Sequence, residues 1–377
     1  MIYLDYAATS PLLPEVKKAM LDAMDNYPGN ASALHTPGHL AHEKIEETRS
    51  LIAKLINASP EEILFTSGGS ESNNSVIGTF TGQNIAVSAI EHPSVLEPAK
   101  LRTNAEIIPV DKKGFIKKVS YDNHPKLVSV MLANNELGSI EPIQKLAKEA
   151  HEHGALFHTD ATQALSKIKI DVKKLDVDYM TMSAHKIGGP VGVSALYIKK
   201  GSPFEPLIIG GHQEHGKRAG TYNTVGLIGF GAAVKFVLDN QTWNLYKQQV
   251  KPLRDNLANR ILNEVPFSNL NTDLEHSLPN ILNMSFAAAE GESIQLYLDA
   301  NSIAVSTGSA CASGDGKPSH VFMATVNDAE VAHSSIRFSF GLDSNMDDIE
   351  HVMASLPSII SQLQQISTVK IKEEHDR

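Results

Sequence analysis

The feature that most constrains this chain is a regular alternation. Between residues 57 and 207, short β-rich runs at 63–66, 85–88, 107–110, 127–132, 156–158, 179–182 and 193–198 are separated by helical patterns. Such alternation predicts an α/β fold, a large domain with a mostly parallel, doubly wound sheet. One of the helices can be read directly. Within 142–153 the apolar residues Ile143, Leu146, Ala147 and Ala150 line one helical face, and Pro142 is expected in the first turn, where a missing N–H costs little. After about Trp243 the pattern changes to a long polar helix, 248–264, and then to strand-like runs at 281–286 and 336–340. These predict a smaller α+β domain. The expected division is a large domain over 15–250 and a small one combining 1–14 with 251–377.

Composition removes several classes. The 377 residues, 42% of them hydrophobic, suffice for two packed cores. A formal net charge of −10 argues against a dedicated nucleic-acid binder, which needs clustered Lys and Arg to neutralise phosphates. The longest apolar stretch, 225–234, is far short of the roughly 20 residues that span a bilayer. The opening segment 1–8 has no basic region of the kind that starts a secretory signal, so a cytoplasmic location is expected. A single cysteine excludes an internal disulfide framework and a Cys-rich metal site. His151 and His153 are two apart on a predicted helix and do not share a face, so no metal site is expected from them and His158.

Four segments could carry chemistry. Ser67-Gly68-Gly69-Ser70-Glu71-Ser72 follows an apolar strand and opens a helix, where glycines, free N–H groups and the Ser70 hydroxyl can close on an anion. Gly- and Ser-rich turns also arise for steric reasons alone. Asp160 follows the run 156–158 and precedes Gln163; it can hold a protonated ring nitrogen or simply cap a helix. Ser183-Ala184-His185-Lys186-Ile187-Gly188-Gly189-Pro190 puts a lysine past a strand end, among small or apolar neighbours with no other fixed charge within five residues. That setting suits a Schiff-base lysine with a phosphate nearby better than a solvated face. Cys311 sits in Ser306-Thr307-Gly308-Ser309-Ala310-Cys311-Ala312-Ser313-Gly314-Asp315-Gly316. A free cysteine is usually buried and inert, but residues this small build no core around it, which points to a reactive thiol.

In this order and spacing, from Tyr3-Leu4-Asp5-Tyr6-Ala7-Ala8-Thr9 to Ser335-Ile336-Arg337-Phe338-Ser339, the segments resemble the cysteine desulfurases, class V pyridoxal-phosphate enzymes of the nitrogenase-associated and iron-sulfur-assembly branches. The resemblance covers nearly the whole chain. It implies the aspartate aminotransferase-like fold of the pyridoxal-phosphate-dependent transferases, and a homodimer with composite active sites. Gly69, Ser70, Ser183 and His185 would bind the cofactor phosphate, and Thr221 in Arg218-Ala219-Gly220-Thr221 would reach that of the neighbouring subunit. His92, in Glu91-His92-Pro93-Ser94, would stack on the ring and take part in proton transfer. Asp160 would pair with the ring nitrogen and Gln163 with the ring hydroxyl, while Asn134 would lie beside the substrate. Lys186 would be the Schiff-base residue and general base, Arg337 the clamp on the substrate carboxylate, and Cys311 the sulfur acceptor.

The implied reaction removes sulfur from L-cysteine, leaving L-alanine and a persulfide on Cys311 for transfer to a sulfur-acceptor protein. That acceptor would be an iron-sulfur scaffold or a tRNA-thiolation enzyme. The segments Ser313-Gly314-Asp315-Gly316-Lys317 and Phe322-Met323-Ala324-Thr325 depart from the commonest family forms, and leave the acceptor open.

Overall fold

The computed structural model describes residues 1–307 and 318–369, and Cys311 lies outside them. The chain opens on a two-residue strand, β1 (Ile2–Tyr3). Seven strands then build the main sheet: β2 (Ile63–Thr66), β3 (Asn84–Ser88), β4 (Asn104–Ile108), β5 (Leu127–Ser129), β6 (Leu156–Asp160), β7 (Tyr179–Ser183) and β8 (Ser194–Ile198). Their order across the sheet is β2-β8-β7-β6-β5-β3-β4. Every pairing from β7 to β4 is parallel, and β8 alone runs against its neighbours β7 and β2. Strands covered on both faces need apolar side chains at successive positions rather than alternating ones. Accordingly β2, β5, β7 and β8 are buried throughout.

The expected strand at 107–110 is shifted. β4 pairs with β3 from Asn104 to Ile108, and Pro109, which has no N–H to donate, ends the ladder; Val110 bridges Ile116 instead. Likewise β5 stops at Ser129, and the remaining apolar residues of 127–132 lead into the turn that carries Asn135. Pro142 is the N-cap of the helix Ile143–Glu152 rather than part of its first turn, and Ile143, Leu146, Ala147 and Ala150 form its buried face as expected.

In the C-terminal part, β9 (Ser268–Leu270), β10 (Ile281–Phe286), β12 (Ser306–Thr307) and β13 (Ser335–Ser339) form an antiparallel sheet, and β11 (Ile303–Ala304) pairs in parallel with β1. The predicted polar helix 248–264 is the α-helix Lys251–Glu264, preceded by a π-turn over Tyr246–Val250. Two large buried clusters result. One lies on one face of the main sheet, whose other face packs a smaller cluster, and the other gathers residues from the span 246–363 together with Leu4. The N-terminal segment passes from one core to the other, since Leu4 packs in the second while Ala7 and Val16 pack in the first. That crossing carries it over the carboxyl edge of the main sheet. Among the described residues no helix is long and apolar enough to cross a membrane.

Candidate active site

In an open α/β sheet the ligand crevice lies outside the carboxyl ends of the strands. Here those ends converge on a cavity of about 280 Å³. β2 leads into the helix Gly69–Thr79, β3 into the turn before His92, β5 into the turn of Asn135, β6 ends on Asp160, and β7 runs into the 3-10 turn Ala184–Ile187 that holds Lys186.

Asp160 is buried, and each carboxylate oxygen accepts from a neutral donor: Oδ1 from the Thr162 amide at 2.9 Å and Oδ2 from Asn73 Nδ2 at 2.8 Å. The helix cap weighed as an alternative to ring-nitrogen binding does not form, because residues 162–167 make turns and no helix starts at Asp160; the Thr162 bond closes such a turn and uses only one oxygen. Asn73 sits four residues after Gly69 on the same helix, which places it one turn further along the same face. The N-cap residue of that helix, Gly68, has no side chain to satisfy the first turn, so the amides beside Gly69 and Ser70 suit an anion. Glu71 closes the turn from outside, accepting from the Ser67 amide at 2.8 Å and pairing with both nitrogens of the Arg218 fork.

Lys186 extends its Nζ to the carbonyl oxygens of Ala7 at 2.5 Å and Ala8 at 2.7 Å. Gln163 Nε2 donates to the same Ala7 carbonyl at 2.9 Å. The turn after the lysine is closed by Gly188 in the left-handed region (φ +77°), where a Cβ would come within 2.5 Å of Leu13. His185 Nδ1 lies 3.2 Å from Thr9 Oγ1, and burial together with Lys186 and Lys167 pushes its pKa down to about 4, so the ring is neutral. Ser183 Oγ accepts from Ser194 Oγ at 3.0 Å. His92 caps the helix Pro93–Arg102 through Nδ1, which accepts from the Ser94 amide at 3.1 Å. Burial and then Lys186 lower its pKa, against the opposing pull of Asp160.

Arg337 enters from β13, the only cavity-lining residue among the described residues supplied by the C-terminal sheet. It is 2% exposed; its two terminal nitrogens donate to Asp5 Oδ1 at 2.9 Å and to the Asn135 carbonyl at 2.8 Å, while its Nε has no partner among the described residues. A buried guanidinium N–H left open beside a cavity suits an oxyanion.

One expectation is corrected. Asn134 does not line the cavity, because its amide is consumed locally: Nδ2 donates to the Ile90 carbonyl at 3.1 Å, and Oδ1 accepts from the Glu136 and Leu137 amides, both at 2.8 Å. Its neighbour Asn135 lines the cavity in its place. Thr221 is exposed and lies beside a separate small cavity with Ser67 and Arg218. The three histidines set aside as metal ligands are dispersed. His151 pairs with Asp178, His153 stacks on Tyr121, and His158 is buried between Ser129 and Thr181. Sequence reasoning missed Asn73, Thr162 and Asn135 as lining residues, although the helical spacing from Gly69 could have pointed to Asn73.

The donor set fits pyridoxal phosphate: a helix start for a phosphate, a buried carboxylate for a ring nitrogen and a lysine within the same cavity. These features agree with the comparisons. The chain belongs to the class-V aminotransferase family, whose model matches residues 2–352. Within that family it is similar to the cysteine desulfurases: it is 43% identical to "Cysteine desulfurase IscS" of Dictyoglomus turgidum, with 98% of this chain and 97% of that protein covered. Among solved structures it is similar to the NifS-like protein of Rickettsia africae, with a TM-score of 0.88, 32% identity, and 96% and 99% of the two chains covered. It is also similar to a structure described as SspA in complex with cysteine, with a TM-score of 0.78 and 30% identity, covering 90% and 99%.

Proposed function

We propose that this chain is a pyridoxal-phosphate-dependent cysteine desulfurase, which takes sulfur from L-cysteine, releases L-alanine and carries the sulfur as a persulfide on Cys311. The observation that carries the reading is the meeting of Lys186, Asp160, Arg337 and the Gly69–Ser70 helix start in one cavity. Bound pyridoxal phosphate supplies an electron sink for the pair left when a substrate Cα loses its proton. Asp160 would hold the ring nitrogen protonated, Gln163 would meet the ring hydroxyl, and His92 would cover the ring face. Gly69, Ser70, Ser183 and His185 would bind the phosphate, with Thr221 reaching from the other subunit of a homodimer.

Arg337 would bind the substrate carboxylate through the Nε edge it leaves open, which fixes which Cα bond faces Lys186. Lys186 is the residue to bond the cofactor aldehyde and, once released, to take the Cα proton at Nζ. The Cys311 thiolate would attack the substrate sulfur, forming the S–S bond as the C–S bond breaks. The persulfide would then pass to an acceptor protein in iron-sulfur cluster assembly or tRNA thiolation, in the cytoplasm. A division into 15–250 and 1–14 with 251–377 is supported in outline by the two large buried clusters, with Ala7, Leu278 and Ile281 packing in the first and Tyr246 and Val250 in the second.

The test is direct. Purified protein given pyridoxal phosphate should turn yellow, form alanine from L-cysteine, and gain one sulfur on the peptide containing Cys311 when no reductant is present. Alanine formation without sulfur on that peptide would favour a lyase that does not use the thiol.

A further inference from the structure

Beneath the proposed Schiff-base residue lies a second lysine that the reaction as described does not use. Lys167 is 2% exposed, yet no carboxylate of the described residues pairs with it. Its ammonium donates to the backbone carbonyl of Lys186, which also accepts from Ser10 Oγ at 3.0 Å. On its other side it lies 5.7 Å from the ring centroid of the buried Tyr246, within cation–π reach. An ammonium removed from water at a cost of several kcal/mol is ordinarily compensated by an opposite charge. Here it is compensated by one carbonyl and one ring, and that carbonyl belongs to Lys186. Among the described residues, the groups facing it that carry or can carry charge are Lys186, His185 and Tyr246.

We propose that Lys167 is a positioning residue for Lys186: it pins the Lys186 carbonyl from below and, through its own positive charge, weakens proton binding at the Lys186 nitrogen. Lys167 and Ser10 Oγ converge on this carbonyl. Other bonds of the turn fix the neighbours on either side, Ser10 N to the His185 carbonyl at 2.9 Å, Leu13 N to the Gly188 carbonyl at 3.0 Å and Gly189 N to the Ala184 carbonyl at 3.0 Å. Two ammonium groups in one dry region each disfavour the other's protonation, a known way of keeping a Schiff-base lysine reactive at neutral pH. Burial and then Lys186 bring the pKa of Lys167 down to about 7, so it bears the charge, and acts on Lys186 through it, chiefly below that pH. The electrostatic half of the proposal rests on Lys186 being the cofactor lysine, whereas the pinning half does not.

The experiment separates the two. Hydrogen exchange in the cofactor-free protein reads the amides of 184–189, and a pH titration of the absorbance of protein loaded with pyridoxal phosphate reads proton binding at the Lys186 nitrogen. Lys167→Met should speed exchange in the turn roughly tenfold and move the spectral midpoint upward by about half a unit or more. Lys167→Arg, which keeps charge and donors, should restore both toward wild type. Should the Met variant not fold, Lys167→Gln keeps a donor without the charge, and should move the midpoint while leaving exchange near wild type. Wild-type exchange in Lys167→Met overturns the pinning, and an unmoved midpoint in Met or Gln overturns the charge effect. A wild-type protein that takes up no cofactor overturns the reading of Lys186 itself, and exchange in the free protein still decides the pinning.

Discussion

The carboxylate of Asp5 holds the guanidinium of Arg337 at 2.9 Å across 332 residues of sequence. Asp5 lies on the N-terminal segment that crosses the carboxyl edge of the main sheet, and Arg337 on the strand Ser335–Ser339 of the C-terminal sheet. The same segment offers the Ala7 and Ala8 carbonyls to Lys186, so one stretch of chain orients both the proposed clamp and the proposed base. Arg337→Ala should therefore act on substrate capture. Loss of a charge-assisted pair to a carboxylate, about 1.5–3 kcal/mol, should raise the KM for L-cysteine by one to two decades with cofactor content unchanged. A rate that depends on cysteine as in wild type would remove Arg337 from the substrate site.

Lys186→Ala should leave the circular dichroism of the protein intact, because the side chain reaches into a cavity and packs in neither core. The visible band of the cofactor–lysine bond should be absent and turnover should fall to background. A borohydride-reducible link to the protein in this variant would mean that another residue bonds the cofactor.

Cys311→Ser should separate a desulfurase from the other reactions this fold supports. The cofactor site keeps all its residues, so the variant should turn yellow and respond spectrally to added L-cysteine. Alanine should not form, since a hydroxyl is a far poorer nucleophile toward sulfur than a thiolate. Alanine and sulfide released at the wild-type rate would exclude the thiol as acceptor.

Glu136 should give the folded protein a pH dependence opposite to that of a paired carboxylate. Fully buried beside the active-site turn, it accepts from Ser319 Oγ at 2.6 Å, and burial outweighs both this bond and the nearby Arg337, raising its pKa from 4.5 to about 7. A folded value above the unfolded one means that the folded state holds the extra proton. The stability this brings is fully present below pH 4.5 and is lost as pH rises through 7. Glu136→Gln should remove that loss, so its stability relative to wild type should grow by about 1–3 kcal/mol between pH 5 and pH 8. Urea midpoints of both proteins at the two pH values check this, and parallel curves would show that Glu136 ionises normally.

Much of this protein is determined by its sequence taken locally. The apolar runs that become β2, β6, β7 and β10 need burial on both faces, and the turns after β2 and β7 announce themselves by glycine, serine and a lone lysine. Those properties belong to consecutive residues, so the α/β class, the carboxyl-edge position and the unusual setting of Lys186 were legible, whereas Asp160 read equally as a helix cap until the family resemblance gave it a role. Tertiary structure decided what depends on direction and distance. Asn134 and Asn135 are equivalent as letters, but the turn aims one amide at backbone and places the other on the cavity wall. Lys167 has no distinguishing neighbours in sequence, yet the fold buries its ammonium against the Lys186 carbonyl. Asp5 meets Arg337 only because the N-terminal segment packs Leu4 into the second core and Ala7 into the first. Pattern along a chain reports which residues seek burial, whereas which polar groups end up opposite one another depends on how the buried faces stack.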